Sequence, residues 1–184
     1  MHAEIAGAGF AGLVAAIALR QRGWTARVHE IDTELRAFGA GIFIWDNGLR
    51  VLQAIGAYDA VANGAYAAPG YRTERNGICM SFAKVNAQGH FRLLTMSRQH
   101  LYSAILAAAR RAGVELVTSS GAIGASPDGV LHLADGRRLQ ADLVIGADGV
   151  RSAVRESLAL PGTRTKYIDG IIRVLVPRGP LVGG

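Results

Sequence analysis

Three glycines and one acid carry the most specific chemistry in this 184-residue sequence: Gly7, Gly9, Gly12 and Glu30. A pyrophosphate is held by backbone N–H donors at close range. Gly7 permits a tight turn, Gly9 leaves no Cβ in the ligand's path, and Gly12 lets the following helix pack close to its strand. The start of that helix adds roughly half a positive charge facing the anion. Glu30 can accept hydrogen bonds from both hydroxyls of a ribose. A 2′-phosphate there would meet like charge, which disfavours NADP at this position.

A second constellation runs from Gly146 through Ala147, Asp148, Gly149, Val150 and Arg151 to Ser152, with Arg155 beyond. Gly146 and Gly149 permit a sharp bend. Spacing leaves two readings open. In one, Asp148 accepts hydrogen bonds from sugar or backbone and Arg151 reaches a phosphate oxygen. In the other, this is a plain strand-to-helix turn with Asp148 as a cap and Arg151 on the surface. Cys79 is the only cysteine, so neither an internal disulfide nor a cysteine-rich zinc site is available, and a reducing, cytoplasmic setting is expected. A buried or incidental thiol is favoured there over a nucleophile. His29, His90, His100 and His132 show no partnered spacing and read as surface or strand residues. No zinc spacing and no nucleophile elbow is found.

The elements around these residues follow from local signals. Ala3–Ala6 reads as a strand, Leu13–Arg22 as an Ala/Leu-rich helix stopped by Gly23, and Trp24–His29 as a second strand ending at Glu30. Strand, glycine turn, helix, strand and acid fall within about 30 residues, as a dinucleotide-binding βαβ unit requires. Asp46 is expected to cap a helix from Asn47 to about Ile55. Residues 65–91 carry Pro69, Gly70, Asn76-Gly77 and Gln88-Gly89 between short β-like runs, a β-rich insertion whose Asn-Gly pair signals a hairpin. Ser97 caps a helix from Arg98 to Ala112, and Gly113 stops it. A β-hairpin meander follows residue 114: Val114–Thr118 is a strand, and Val130–Leu133 pairs with Arg138–Ala141 across Asp135-Gly136. Leu143–Ile145 reads as a fully buried parallel strand, and Ser152–Leu158 as a short helix.

Composition excludes several classes. Half of the residues are apolar and 18% are charged, which is a folding composition. The formal net charge is +6, but the basic residues are scattered singles and pairs, with no run interleaved with aromatics, so nucleic acid is not an expected partner. Ile5–Leu19 is apolar, yet it is too short to span a bilayer, lacks a basic flank before it and contains three glycines. A buried strand and helix, with no stable membrane association, is the expectation.

The Asp148-Gly149 stretch resembles the Asp-Gly motif of the group A FAD-dependent aromatic monooxygenases, the family related to p-hydroxybenzoate hydroxylase. Three more segments are similar: Gly39-Ala40-Gly41-Ile42 with Asn47, Leu52 and Gly56; Arg98 to Leu101 with Ile105; and Ile172–Arg178, which resembles the strand entering the family's substrate domain. The resemblance covers essentially the whole chain. It implies an α/β, Rossmann-like FAD-binding domain with a parallel central sheet at 1–64 and 97–165. It also implies that 65–96 and 166–184 are parts of an incomplete substrate-binding β domain.

By the same resemblance, Gly7, Gly9, Phe10, Ala11 and Gly12 hold the FAD pyrophosphate and Glu30 the adenosine ribose. Arg98 reaches toward the ribityl-pyrophosphate region; an arginine at a helix N-terminus is electrostatically misplaced unless a phosphate joins it. Asp148 and Gly149 support FAD and help NAD(P)H engage, Ala122 and Arg151 are further cofactor contacts, and Ile42 and Phe43 lie near the isoalloxazine. The implied reaction is NAD(P)H-driven hydroxylation of a small phenol-like aromatic through a flavin C4a-hydroperoxide. The family's third motif, a Gly-Asp segment with a proline- and glycine-rich continuation, is not found. The expectation is therefore an N-terminal portion of a longer enzyme: a fragment, a split or frameshifted gene product, or a half whose fold a partner chain or second copy completes. Beside it stand another FAD-dependent oxidoreductase of the same fold, of the prenyl-lipid reductase type, and a non-catalytic nucleotide-binding remnant or partner subunit.

Overall fold

A computed structural model describes residues 1–170 except 38, 89, 90, 161, 164 and 169. The Ile172–Arg178 strand, the Gly89 half of the Gln88-Gly89 turn and His90 lie outside the described residues. Among the described residues the chain begins β1 (His2–Ala6), α1 (Phe10–Arg20), β2 (Thr25–His29), β3 (Gly41–Trp45), α2 (Asp46–Ala54) and α3 (Tyr58–Ala62). The insertion supplies β4 (Tyr66–Ala67), β5 (Gly70–Arg75) and β6 (Ile78–Lys84). It is followed by β7 (Leu93–Ser97), α4 (Arg98–Arg111) and β8 (Glu115–Val117). The chain continues with β9 (Ala122–Ser126), β10 (Val130–Leu133), β11 (Arg138–Gln140), β12 (Leu143–Gly146) and α5 (Ala153–Ser157).

The architecture is α/β. A parallel sheet in the order β12-β1-β2-β8 forms its centre, with antiparallel sheets β11-β10-β9 and β3-β7-β4 and a β5-β6 hairpin around it. Alternation along the strands divides the faces. Ile5 and Val28 point toward α1 and α4, where they share a core with Leu13, Ile17, Leu101 and Ile105. Ala6 points the other way and packs with Leu131, Leu133 and Val154 beneath the β9-β10-β11 meander. The parallel sheet is thus sandwiched between helices and a β layer, and β1 is buried on both faces.

Local chemistry explains several elements. Ser97 Oγ accepts from His100 N at 3.1 Å and caps α4, while Gly113 beyond it takes φ +73. Asn76 and Gly77 both have positive φ (52 and 76), the requirement of the tight turn joining β5 to β6.

Other expectations are corrected. Helix α1 begins at Phe10 rather than Leu13, because the last fingerprint glycine lies inside the helix. Asp46 is not a cap. Trp45 occupies that position without a side-chain capping bond, and the Asp46 carboxylate pairs instead with Arg92 and Arg50. Strand β12 is not fully buried: among the described residues it is an edge strand, and Leu143 is 36% exposed. Strands β3, β7 and β9 and helix α3 were not expected from periodicity. The β3-β7-β4 sheet joins residues from both sides of the boundaries at 64 and 96.

Candidate dinucleotide-binding site

Strand order fixes where a ligand can sit. From β1 the chain moves outward to β2 and β8, then returns to place β12 on the opposite side of β1. Such a reversal opens a crevice at the carboxyl ends of the strands. Ala6 is in register with Gly146 on one side and His29 on the other. Gly7, Glu30 and Ala147 therefore leave the sheet at one level.

The three glycines of the fingerprint turn have separable duties. Gly7 has φ +96, and a Cβ on it would stand 2.5 Å from the Ala147 carbonyl oxygen. A Cβ on Gly12 would collide with the Gly7 carbonyl oxygen. Both are required by the protein's own backbone. Around Gly9 no atom of the described residues, its chain neighbours aside, lies within 4 Å of where a Cβ would be. The space beside it is open, and it borders the groove described below. Gly9 is also the N-cap of α1, with no side-chain cap and no acidic residue in the first turn. The positive end of the helix is left for an anion.

Glu30 is half-buried and oriented. Its Oε2 accepts from Ala8 N at 2.9 Å and its Oε1 from Asp32 N at 3.2 Å. A carboxylate has about four acceptor positions, so each oxygen retains one for a ribose hydroxyl. Asp148 meets the capping reading with one oxygen and leaves the other unpartnered among the described residues. Oδ2 accepts from Val154 N at 3.2 Å and caps the start of α5. Oδ1 is buried and has no hydrogen-bond partner among the described residues. An orphaned buried carboxylate oxygen calls for a donor, and a hydroxyl group is one such donor.

One groove gathers Gly7, Gly9, Glu30, Ala122, Asp148, Gly149 and Arg151, together with Ile31 and Ala147. A second groove shares Gly9 and Glu30 and continues past Phe10 to Arg36, Arg98 and Tyr102. Arg98 lies 5.1 Å over the Phe10 ring, and its stem fills the space beside Gly39, which has φ +105. Phe10 also meets Tyr102 edge-on at 6.0 Å, and the Tyr102 hydroxyl donates to Ala8 O at 2.9 Å. Burial, reinforced by the Glu30 charge, pushes the Tyr102 hydroxyl up to about 12, so it stays a donor. Ala11 is exposed at the open start of α1.

Ile42 is not brought into either groove. It lines a separate shallow cleft with Gly41, Phe43, Thr95 and Met96, and Phe43 is exposed rather than in the core. Cys79 is exposed on β6. Arg36, Ile31 and Tyr102 were missed from sequence, since nothing local marks a loop arginine or a mid-helix tyrosine as facing a groove.

His29 overturns its reading as a strand residue without partners. It is buried and bonded to Glu4 and Ser120. Burial, the largest influence, pushes the Glu4 carboxyl up. Hydrogen bonds from His29 and His2 and the charge of Arg27 outweigh it and hold the group below its usual range.

Comparison with known proteins gives a consistent picture. A family model described as an FAD binding domain matches residues 1–181. The chain is 43% identical over 176 residues to a 2-heptyl-3-hydroxy-4(1H)-quinolone synthase of Mycobacteroides abscessus, covering 95% of this chain and 47% of that protein. It is 35% identical over 167 residues to a 3-amino-4-hydroxybenzoate 2-monooxygenase of Streptomyces cremeus, covering 87% and 42%. A tetrameric form of 2-methyl-3-hydroxypyridine-5-carboxylic acid oxygenase superposes with a TM-score of 0.80 at 49% identity, over 85% of this chain and 41% of that one. The chain spans about half the length of the curated relatives it matches.

Proposed function

This chain belongs to that FAD-binding family, and we propose that it forms the adenosine and pyrophosphate end of the FAD site in an NAD(P)H-driven monooxygenase acting on a small hydroxylated aromatic ring. One observation carries the reading. Gly9, Glu30 and Asp148, whose Oδ1 is unpartnered among the described residues, line one groove at the point where the parallel sheet reverses its order. In this reading the ribose lies on Glu30, with the base between Ile31 and Ala122. The pyrophosphate meets the amides of Phe10, Ala11 and Gly12 at the start of α1, between Gly7 and Gly9. The second groove then leads toward Arg36 and Arg98. Asp148 and Gly149 support the cofactor from the β12 side, and Arg151 supplies a further cation.

FAD bound here supplies the hydride-accepting and oxygen-activating chemistry, while the protein supplies binding, orientation and electrostatics. Two of the relatives' names support a ring substrate carrying a hydroxyl group, phenol-like or nitrogen-containing, and a third is named for a hydroxylated ring product. Residues 1–64 and 97–165 are assigned to FAD binding, and 65–96 with 166–184 to a substrate-facing β region. Ile42 and Phe43 stand on the strand that links the two, toward the flavin ring. Polypeptide corresponding to the other half of the relatives, in the same chain or a partner, completes the flavin-ring and substrate contacts. No helix among the described residues is long and apolar enough to cross a membrane, and a cytoplasmic site of action accords with the single thiol.

Titrating the protein with FAD, followed by flavin fluorescence, tests this. Saturable uptake is expected, and Glu30→Ala should weaken it by about 1.5–3 kcal/mol, the scale of hydrogen bonds to a charged group. Absence of uptake overturns the FAD reading. Uptake that Glu30→Ala leaves unchanged overturns the ribose role.

A further inference from the structure

Directly behind the groove, on the sheet face turned to the meander, three polar side chains are buried together: Glu4 (2% exposed), His29 (1%) and Ser120 (2%). His29 Nδ1 lies 2.8 Å from Ser120 Oγ, and Nε2 lies 2.7 Å from Glu4 Oε2. Glu4 Oε1 also receives His2 Nε2 at 3.0 Å and Arg27 Nη1 at 3.1 Å. Arg137 Nη2 reaches Ser120 Oγ at 3.4 Å. The Glu4 end sets the direction of the chain. The Glu4 carboxylate only accepts, so Nε2 carries the proton; in the neutral ring Nδ1 then accepts from the Ser120 hydroxyl, whose oxygen accepts from Arg137. The ring then donates from Nε2–H to Glu4.

The two ends of the ring do different work. The Glu4 end binds β1 to β2 and serves the sheet. The Ser120 end reaches a turn that forms a groove wall. Ser120 N donates to Glu30 O at 2.7 Å, and Ser119 N donates to Asp32 O at 3.0 Å. Ser119 is held at φ +51, a left-handed conformation that costs a non-glycine residue about 1–2 kcal/mol. Gly121 packs against Ile31, and Ala122 and Ile31 face each other across the groove. The backbone carbonyl of His29 itself accepts from Gly7 N at 2.7 Å, so the residue touches the fingerprint turn as well.

We infer that His29 is a positioning residue for the dinucleotide: through Ser120 it holds the 119–122 turn at the distance from Glu30 and Ile31 that a ribose and its base need. The inference rests on the FAD reading of the groove, and it deepens that reading: His29 borders the groove, but its ring is buried and acts through Ser120.

Two substitutions separate the ends of the ring. His29→Asn places an amide oxygen near Nδ1, so Ser120 keeps its acceptor while Glu4 loses its donor. His29→Gln places an amide N–H near Nε2, so Glu4 keeps its donor while the Ser120 hydroxyl loses its acceptor. FAD titration and urea unfolding are measured for both. Comparable losses of stability are expected. FAD affinity should fall about tenfold in His29→Gln and stay within about threefold of the parent in His29→Asn. Ser120→Ala retains the Glu4–His29 pair and should reproduce the about tenfold loss, which keeps the inference testable if neither His29 variant folds. Equal FAD affinity in His29→Asn and His29→Gln, or an unchanged affinity in Ser120→Ala, overturns the positioning role alone. A parent protein that takes up no FAD overturns the reading of the groove, and the inference with it.

Discussion

Two glycine-bearing turns leave neighbouring parallel strands at one level and touch each other, yet they are built on opposite terms. The turn after β1 opens onto α1, a helix of 11 residues whose first turn has no side-chain cap and no acid. The turn after β12 opens onto α5, a helix of 5 residues that is capped twice: Ser152 accepts from Arg155 N at 2.9 Å, and Asp148 accepts from Val154 N. The first turn leaves its donors for a guest. The second commits its side chains to its own short helix and leaves over one carboxylate oxygen. The difference separates what the fold requires from what the ligand requires, and glycine substitutions can measure each.

The largest effect is expected at Gly12. A Cβ there would meet the Gly7 carbonyl oxygen, which is backbone and cannot step aside. Alanine favours helices by roughly 1 kcal/mol over glycine, but that gain does not offset an overlap of this kind. Gly12→Ala should lower the unfolding free energy by about 3 kcal/mol or more, the upper end of overpacking, as read by urea denaturation. A loss below about 1 kcal/mol would show that α1 can shift away from β1, and the close helix–strand approach would lose its structural rationale.

The same division governs what could be read from sequence. The βαβ unit was legible because its signals are local: Gly7 to Glu30 lies within one stretch, the Ser97 cap lies beside its helix, and Asn76-Gly77 is its own turn. What escaped depends on distant partners. Strand β3 exists by pairing Gly41–Trp45 with Leu93–Ser97, and neither segment alternates in a way that announces the other. Asp46 looks like a cap until Arg92, 46 residues away, claims its carboxylate. The apolar run Leu143–Ile145 could not say whether it lies at the centre or the edge of its sheet. His29 looked unpartnered because Glu4 and Ser120 are 25 and 91 residues away. At the site, the residues that bind through backbone or through a single carboxylate were found. Ile31, Arg36 and Tyr102 were not, because only the loop path and the packing of α4 bring them to the groove.

Gly9 should show the reverse of Gly12. Its backbone is extended, at φ −70 and ψ −178, so alanine fits without strain, and no protein atom crowds the new methyl. Gly9→Ala should change the unfolding free energy by less than about 1 kcal/mol, the difference between these residues at an N-cap. FAD affinity should nevertheless fall about tenfold or more, because the methyl stands where the pyrophosphate must approach the amides. Full affinity in a stable Gly9→Ala protein would place the phosphates elsewhere and dissolve the contrast between the two turns.

A smaller loss of stability than at Gly12 is expected at Gly149, on the other turn. Like Gly7 it has positive φ, at +87, but nothing lies within 4 Å of its missing Cβ. Only the backbone conformation then opposes alanine, at about 1–2 kcal/mol for a left-handed residue. Gly7 combines the same conformation with the Ala147 carbonyl at 2.5 Å, so Gly7→Ala should cost more than Gly149→Ala by whatever that close approach is worth. Thermal unfolding of the two variants measures the difference. Equal losses would mean that φ alone makes both positions glycine. The contact between the turns would then be incidental, and the crevice between β1 and β12 would owe its shape to strand order rather than to the two glycines pressing its walls together.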